Sequence, residues 1–212
     1  MKKTIWQPVL MGIVFGLLAG ISITVGLSFV VSNTLTTSVI GFHVVIFLLS
    51  AAFGGPLASF ITPAICVSFV TLFGSPESKE ILSTPHIFWT NLLVPGMVMA
   101  LAGFVYRFVF ERVKMPARLL PWAGIVIAYY VFQAPIIMSL QYYFGGVTFA
   151  TLPAAILSNY QTYIPQALFD IFITSLVFIA LPPSFAHPRW HESRRTLDHS
   201  NEVQNKWKEG AQ

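Results

Sequence analysis

The chain has 212 residues, 55 % of them apolar and 9 % charged, with a formal net charge of +4. Soluble domains carry about 25 % charged residues, so this composition excludes an ordinary water-soluble globule. One cysteine, Cys66, excludes an internal disulfide and a multi-cysteine metal motif.

The charges are placed as unevenly as they are scarce. Residues 7–186 hold nine of the twenty, namely Glu77, Lys79, Glu80, Arg107, Glu111, Arg112, Lys114, Arg118 and Asp170. Eight of these fall in two short gaps between apolar runs, and only Asp170 sits within a run. A helix that crosses the roughly 30 Å hydrocarbon core needs about 20 mostly apolar residues. The pattern therefore predicts an all-α polytopic membrane protein with a transmembrane domain over 1–186 and a polar tail over 187–212. No nucleic-acid partner is needed to explain the basic balance.

Six spans are expected, at 8–31, 36–53, 56–73, 91–110, 119–141 and 163–181. The first follows Met1-Lys2-Lys3 but is longer than a signal-peptide core and lacks an A-x-A site, so it reads as a span. Within it Gly12, Gly16 and Gly20 recur every four residues. That spacing lets another helix approach closely, either inside the domain or on a partner subunit. Spans two and three are divided by Gly54-Gly55-Pro56, a turn signal inside an apolar stretch too long for one helix. A polar loop over 74–90 precedes span four, and the basic segment 107–118 precedes span five. Pro135 should kink span five and free a carbonyl. The loop over 142–162 contains an apolar segment, 147–157, too short to span; it is expected to lie as a lid or in the interface.

Six spans with both termini in the cytoplasm put eleven of the twelve Lys and Arg inside and leave Lys79 outside. That satisfies the positive-inside rule. The location implied is the plasma membrane of a prokaryotic cell, crossed several times.

Asp170 is the residue to explain. A carboxylate at the bilayer centre costs at least ~2.5–3.5 kcal/mol and usually faces a cavity or a partner. Tyr163, Gln166, Asp170 and Thr174 fall on one stripe of the last span, with Asn159 above it. The stripe reads either as a polar path from the outer face or as interhelical glue. Tyr130, Gln133 and Gln141 share a face of span five, Trp89 and Asn91 open span four, and His43 lies in the outer half of span two. Together these residues outline an outward pocket for a small, partly aromatic or neutral-to-cationic solute, walled by aromatic rings and holding one carboxylate. No H-E-x-x-H, nucleotide-binding glycine loop or G-x-S-x-G is present, so no enzyme, cofactor or metal site is expected.

Six spans in this length, the small-residue run Gly12-Gly16-Gly20, the turn Phe53-Gly54-Gly55-Pro56-Leu57-Ala58 and the run Tyr160–Asp170 with Pro165 and Gln166 resemble the substrate-binding S component of energy-coupling factor vitamin transporters. The resemblance implies capture of a vitamin-like micronutrient outside the cell. It also implies docking through Gly12, Gly16 and Gly20 on a transmembrane coupling subunit, with ATPases supplying the energy. The Phe-Gly-Gly-Pro turn and Gly145-Gly146 also resemble the multi-span sensor domain of LytS-type histidine kinases. That likeness implies a sensing or structural role without transport. A stand-alone secondary transporter is the third reading.

Overall fold

A computed structural model describes residues 3–32, 37–83, 85–112, 116–144 and 148–180. The expected polar tail, 187–212, lies outside the described residues. The elements in order are α1 (Lys3–Thr24), β1 (Ser28–Ser32), β2 (Thr37–Gly41), α2 (Phe42–Phe73), α3 (Pro76–Ser83), α4 (Pro85–Arg112), α5 (Leu119–Tyr143) and α6 (Leu152–Ala180). Five of these helices, α1, α2, α4, α5 and α6, are long and apolar enough to cross a membrane. Their outward faces carry large apolar side chains, such as Leu18, Leu101, Phe132 and Phe172. A water-facing surface would not carry such a belt.

The α2 segment is not straight. Gly55 adopts φ 72° and ψ −170°, a region open essentially to glycine alone. Beyond it the chain folds back. Ser50 Oγ and Thr62 Oγ1 lie 2.6 Å apart across twelve residues, a separation that would be about 18 Å along a continuous helix. The reversal falls at the Gly54-Gly55-Pro56 signal. It gives α2 two antiparallel arms, 42–54 and 56–73, and buried hydroxyls tie them together. Thr62 Oγ1 donates to the Ala58 carbonyl at 2.8 Å, and Ser59 Oγ to the Gly55 carbonyl at 2.7 Å.

The second arm packs along α1, and the three spaced glycines make this possible. A Cβ at Gly12 would stand 2.8 Å from Ile61 Cβ, one at Gly16 2.5 Å from Ile65 Cβ, and one at Gly20 2.8 Å from Phe69 Cδ1. The partners rise in step, so α1 and the second arm run parallel. Of the two readings of Gly12, Gly16 and Gly20, packing inside the domain is the one seen: their face meets α2 of the same chain.

The first two expected spans are corrected as well. Helix α1 stops at Thr24, and an antiparallel β-hairpin, with Ser28 opposite Gly41 and Ser32 opposite Thr37, occupies the end of one expected span and the start of the next. The hairpin segments Ser-Phe-Val-Val-Ser and Thr-Ser-Val-Ile-Gly are rich in β-branched residues. Such residues fit a pleated strand better than a helix. The expected polar loop over 74–90 contains α3 and the first turn of α4. The expected lid over 147–157 is also corrected, because α6 begins at Leu152 and absorbs most of it. Pro153 is tolerated there because the first turn of a helix has no intrahelical use for its N–H.

The core closes where the helices meet farthest from α3. Trp122 of α5 lies edge-on to Tyr106 of α4 and to Phe178 of α6, both at 5.0 Å between ring centroids. Phe53 in the first arm of α2 reaches the same cluster through Phe178 at 5.8 Å.

Candidate functional site

A partly open cavity of about 270 Å3 lies between the two arms of α2, α4 and α5, toward the α3 end. The first arm contributes His43, Val44 and Phe47, and the second contributes Cys66, Val67 and Val70. Asn91 and Pro95 come from α4, and Tyr129 and Gln133 from α5. Ile23 closes one side, while Ser78 and Leu82 of α3 border the opening.

The chemistry of this wall is neutral. None of its lining residues is Asp, Glu, Lys or Arg. Its polar groups are unevenly committed. The Gln133 Oε1 atom is buried and has no hydrogen-bond partner among the described residues. The Asn91 side chain is turned back on its own helix, where Nδ2 donates to the Ile87 carbonyl at 2.9 Å. Pro95 has no N–H, so the Asn91 backbone carbonyl, four residues earlier, loses its helical donor at the cavity wall. His43 meets Phe47 edge-on at 5.9 Å and makes no hydrogen bond among the described residues.

Three of the ten expected substrate contacts, His43, Asn91 and Gln133, are thus brought together. Asp170 is elsewhere. It is fully buried, and both of its carboxylate oxygens are occupied. Tyr130 Oη donates to Oδ2, and Gln166 Nε2 donates to Oδ1 at 2.7 Å. The stripe read from the sequence is real, but it is a seam between elements. Thr174 Oγ1 donates to the Asp170 carbonyl at 2.5 Å and accepts from Trp122 Nε1 at 2.7 Å. Gln166 also binds β2: its Oε1 accepts from the Gly41 N–H at 2.8 Å, and its Nε2 donates to the Gly41 carbonyl at 3.0 Å.

The other expected contacts lie outside the cavity. Tyr163 packs its ring 5.2 Å from that of Tyr130. Asn159 Nδ2 reaches Met138 Sδ at 3.4 Å and the Ala155 carbonyl at 2.9 Å. Trp89 is 55 % exposed, and Gln141 is half-buried without lining the cavity. The carbonyl that Pro135 frees, at Val131, accepts from Tyr160 Oη at 2.9 Å.

Sequence reasoning missed Tyr129, Phe47, Ser78 and Cys66 as wall residues. Tyr129 sits one turn from Gln133, and that i, i+4 pairing was a usable signal. The other three become neighbours only through the α2 reversal and the docking of α3. Among the described residues no three His, Cys, Asp or Glu side chains converge as a metal site would require.

The seam and the cavity are connected through the backbone. Gly41, held by Gln166, precedes His43 by two residues, and Tyr130, held by Asp170, adjoins Tyr129 with ring centroids 4.9 Å apart. The clasp therefore fixes two of the walls without contributing to the lining. No family model, curated protein or solved structure matches the chain.

Proposed function

We propose that this protein is a membrane-embedded binding subunit that captures a small solute from outside the cell and passes it to a separate energy-supplying module. The observation that carries the reading is the neutral, partly aromatic cavity at the α3 end, with the unpartnered oxygen of Gln133 on its wall. Counting the two arms of α2 separately gives six passes. With both termini inside, the basic residues Arg107 and Arg118 lie on the cytoplasmic side and the cavity opens outward. The chain offers no nucleotide-binding loop, so ATPases and a transmembrane coupling subunit would be separate chains in a prokaryotic plasma membrane. Vitamin-like micronutrients are the solute class that the resemblance to S components suggests, and the subunit itself would perform no catalysis.

The test is gentle purification from native membranes, followed by mass spectrometry of both the solute and the proteins retained. The expected result is one small molecule, displaced when the cavity is filled by Val67→Trp, together with an ATPase-containing module. Solute uptake by the purified chain alone would replace this reading with that of a stand-alone transporter. A preparation with no solute and no module would leave the sensor or structural reading in its place.

A further inference from the structure

The cavity carries more information than its position. Its wall leaves acceptors open beside the donors it also carries. The buried Oε1 of Gln133 lacks a donor, and Pro95 withholds one from the Asn91 carbonyl on the facing helix. A buried acceptor left unpaired is costly, so an occupant with an N–H group gains by pairing the Gln133 oxygen. A charge on that occupant would find no carboxylate, ammonium or guanidinium partner, because none of the lining residues is Asp, Glu, Lys or Arg. Asp170, the carboxylate that could have attracted a cation, is fully buried and shared between Tyr130 and Gln166. Burying an unpaired ion is expensive. Shape narrows the class further. At about 270 Å3 the cavity lies near the lower end of ligand pockets, which run from about 300 Å3 upward. Its flat surfaces are the rings of Phe47, Tyr129 and His43.

Resting on the capture reading above, we infer that the occupant is an uncharged, planar aromatic molecule that carries an N–H donor, such as a primary carboxamide or ring amine, directed at Gln133. The donor edge sits between Gln133 and the Asn91 carbonyl, and the ring faces lie against the aromatic wall. Gln133 is then the residue that sets specificity. Neutral solutes are accepted and ions of the same shape are rejected.

Three probes of nearly identical shape test this on the full chain in phospholipid nanodiscs: benzamide, benzoate and benzamidine, which are neutral, anionic and cationic. Binding is read by saturation-transfer NMR and by the thermal-unfolding midpoint. The expected result is that benzamide binds about tenfold or more tightly than either ion, and that Gln133→Leu weakens benzamide by about tenfold. Gln133→Glu, nearly isosteric, should swing the preference to benzamidine. Wild-type protein that favours benzoate or benzamidine, or a Gln133→Leu variant that binds benzamide normally, overturns the inference. The ranking in wild type needs no variant to fold. The two levels fail separately. A charged solute recovered from native membranes sinks the ligand class and leaves capture standing, whereas no probe bound and no solute recovered sinks both.

Discussion

Gln166 holds Gly41 as a neighbouring strand would. Its carboxamide accepts from the Gly41 N–H at 2.8 Å and donates to the Gly41 carbonyl at 3.0 Å. A buried strand edge has no water to satisfy it, so a side chain has taken the place of a third strand. The same Nε2 also donates to Asp170, which joins the hairpin to the α5–α6 pair.

Gln166→Leu should therefore release the hairpin as well as lower stability. It strands two backbone groups and one carboxylate oxygen, and each buried orphan costs about 1–3 kcal/mol. The expected outcome is a clear fall in the thermal midpoint, with faster amide exchange confined at first to residues 37–41. Unchanged exchange at Gly41 would show that the hairpin is held by other contacts.

The Tyr130–Asp170 pair should behave as structure rather than as a ligand contact. Removing either partner leaves the other buried without its mate, so Tyr130→Phe and Asp170→Leu are each expected to destabilise. Their double-mutant cycle should show a coupling of about 1–3 kcal/mol. The affinity of folded Asp170→Asn protein for benzamide should stay close to wild type. Full stability with abolished binding in that variant would return Asp170 to the ligand.

Two glycines offer a matched pair of substitutions. Gly16→Ala places a methyl 2.5 Å from Ile65 Cβ and 2.8 Å from the Thr62 carbonyl. Such overpacking typically costs about 1–3 kcal/mol. Gly124→Ala meets nothing within 4 Å and should be neutral or stabilising by about 0.5–1 kcal/mol, through helix propensity alone. Thermal unfolding of the two variants side by side checks the α1–α2 contact.

The reversal in α2 can be tested covalently. In a Cys66→Ala background, Ser50→Cys and Thr62→Cys should form a disulfide under mild oxidation, because the native hydroxyls are 2.6 Å apart. On a continuous helix these positions would be about 18 Å apart, and no bond could form. A change of electrophoretic mobility on reduction reads the result. Adding Gly55→Ala, which forbids the observed φ of 72°, should suppress the cross-link.

Much of this arrangement was legible in the residues, for identifiable reasons. Helical spacing marked Gln166, Asp170 and Thr174 as one face, and all three are buried on one seam. Gly54-Gly55-Pro56 marked the reversal, because few other sequences permit it. The hairpin was hidden because its Val, Ile and Phe residues are as apolar as a span, and hydropathy does not distinguish strand from helix. The early start of α6 was hidden for the opposite reason, since the polar run Ser158–Thr162 interrupts the apolar signal without interrupting the helix. The cavity could not be placed because its walls meet only after the arms of α2 fold back and α3 docks across their ends.

The reversal at Gly55 also bears on how the chain enters the bilayer. The first arm, residues 42–54, is a helix of about 20 Å, well short of the roughly 30 Å hydrocarbon core. It is a poor candidate to stop in the membrane alone, and its partner arm supplies the hydroxyl contacts that hold it. The two arms are best inserted as one unit, with α1 waiting in the lipid, its glycine face uncovered, until residues 56–73 have been synthesised. A ribosome paused before Ile61 would thus carry an α1 whose tightest contact does not yet exist.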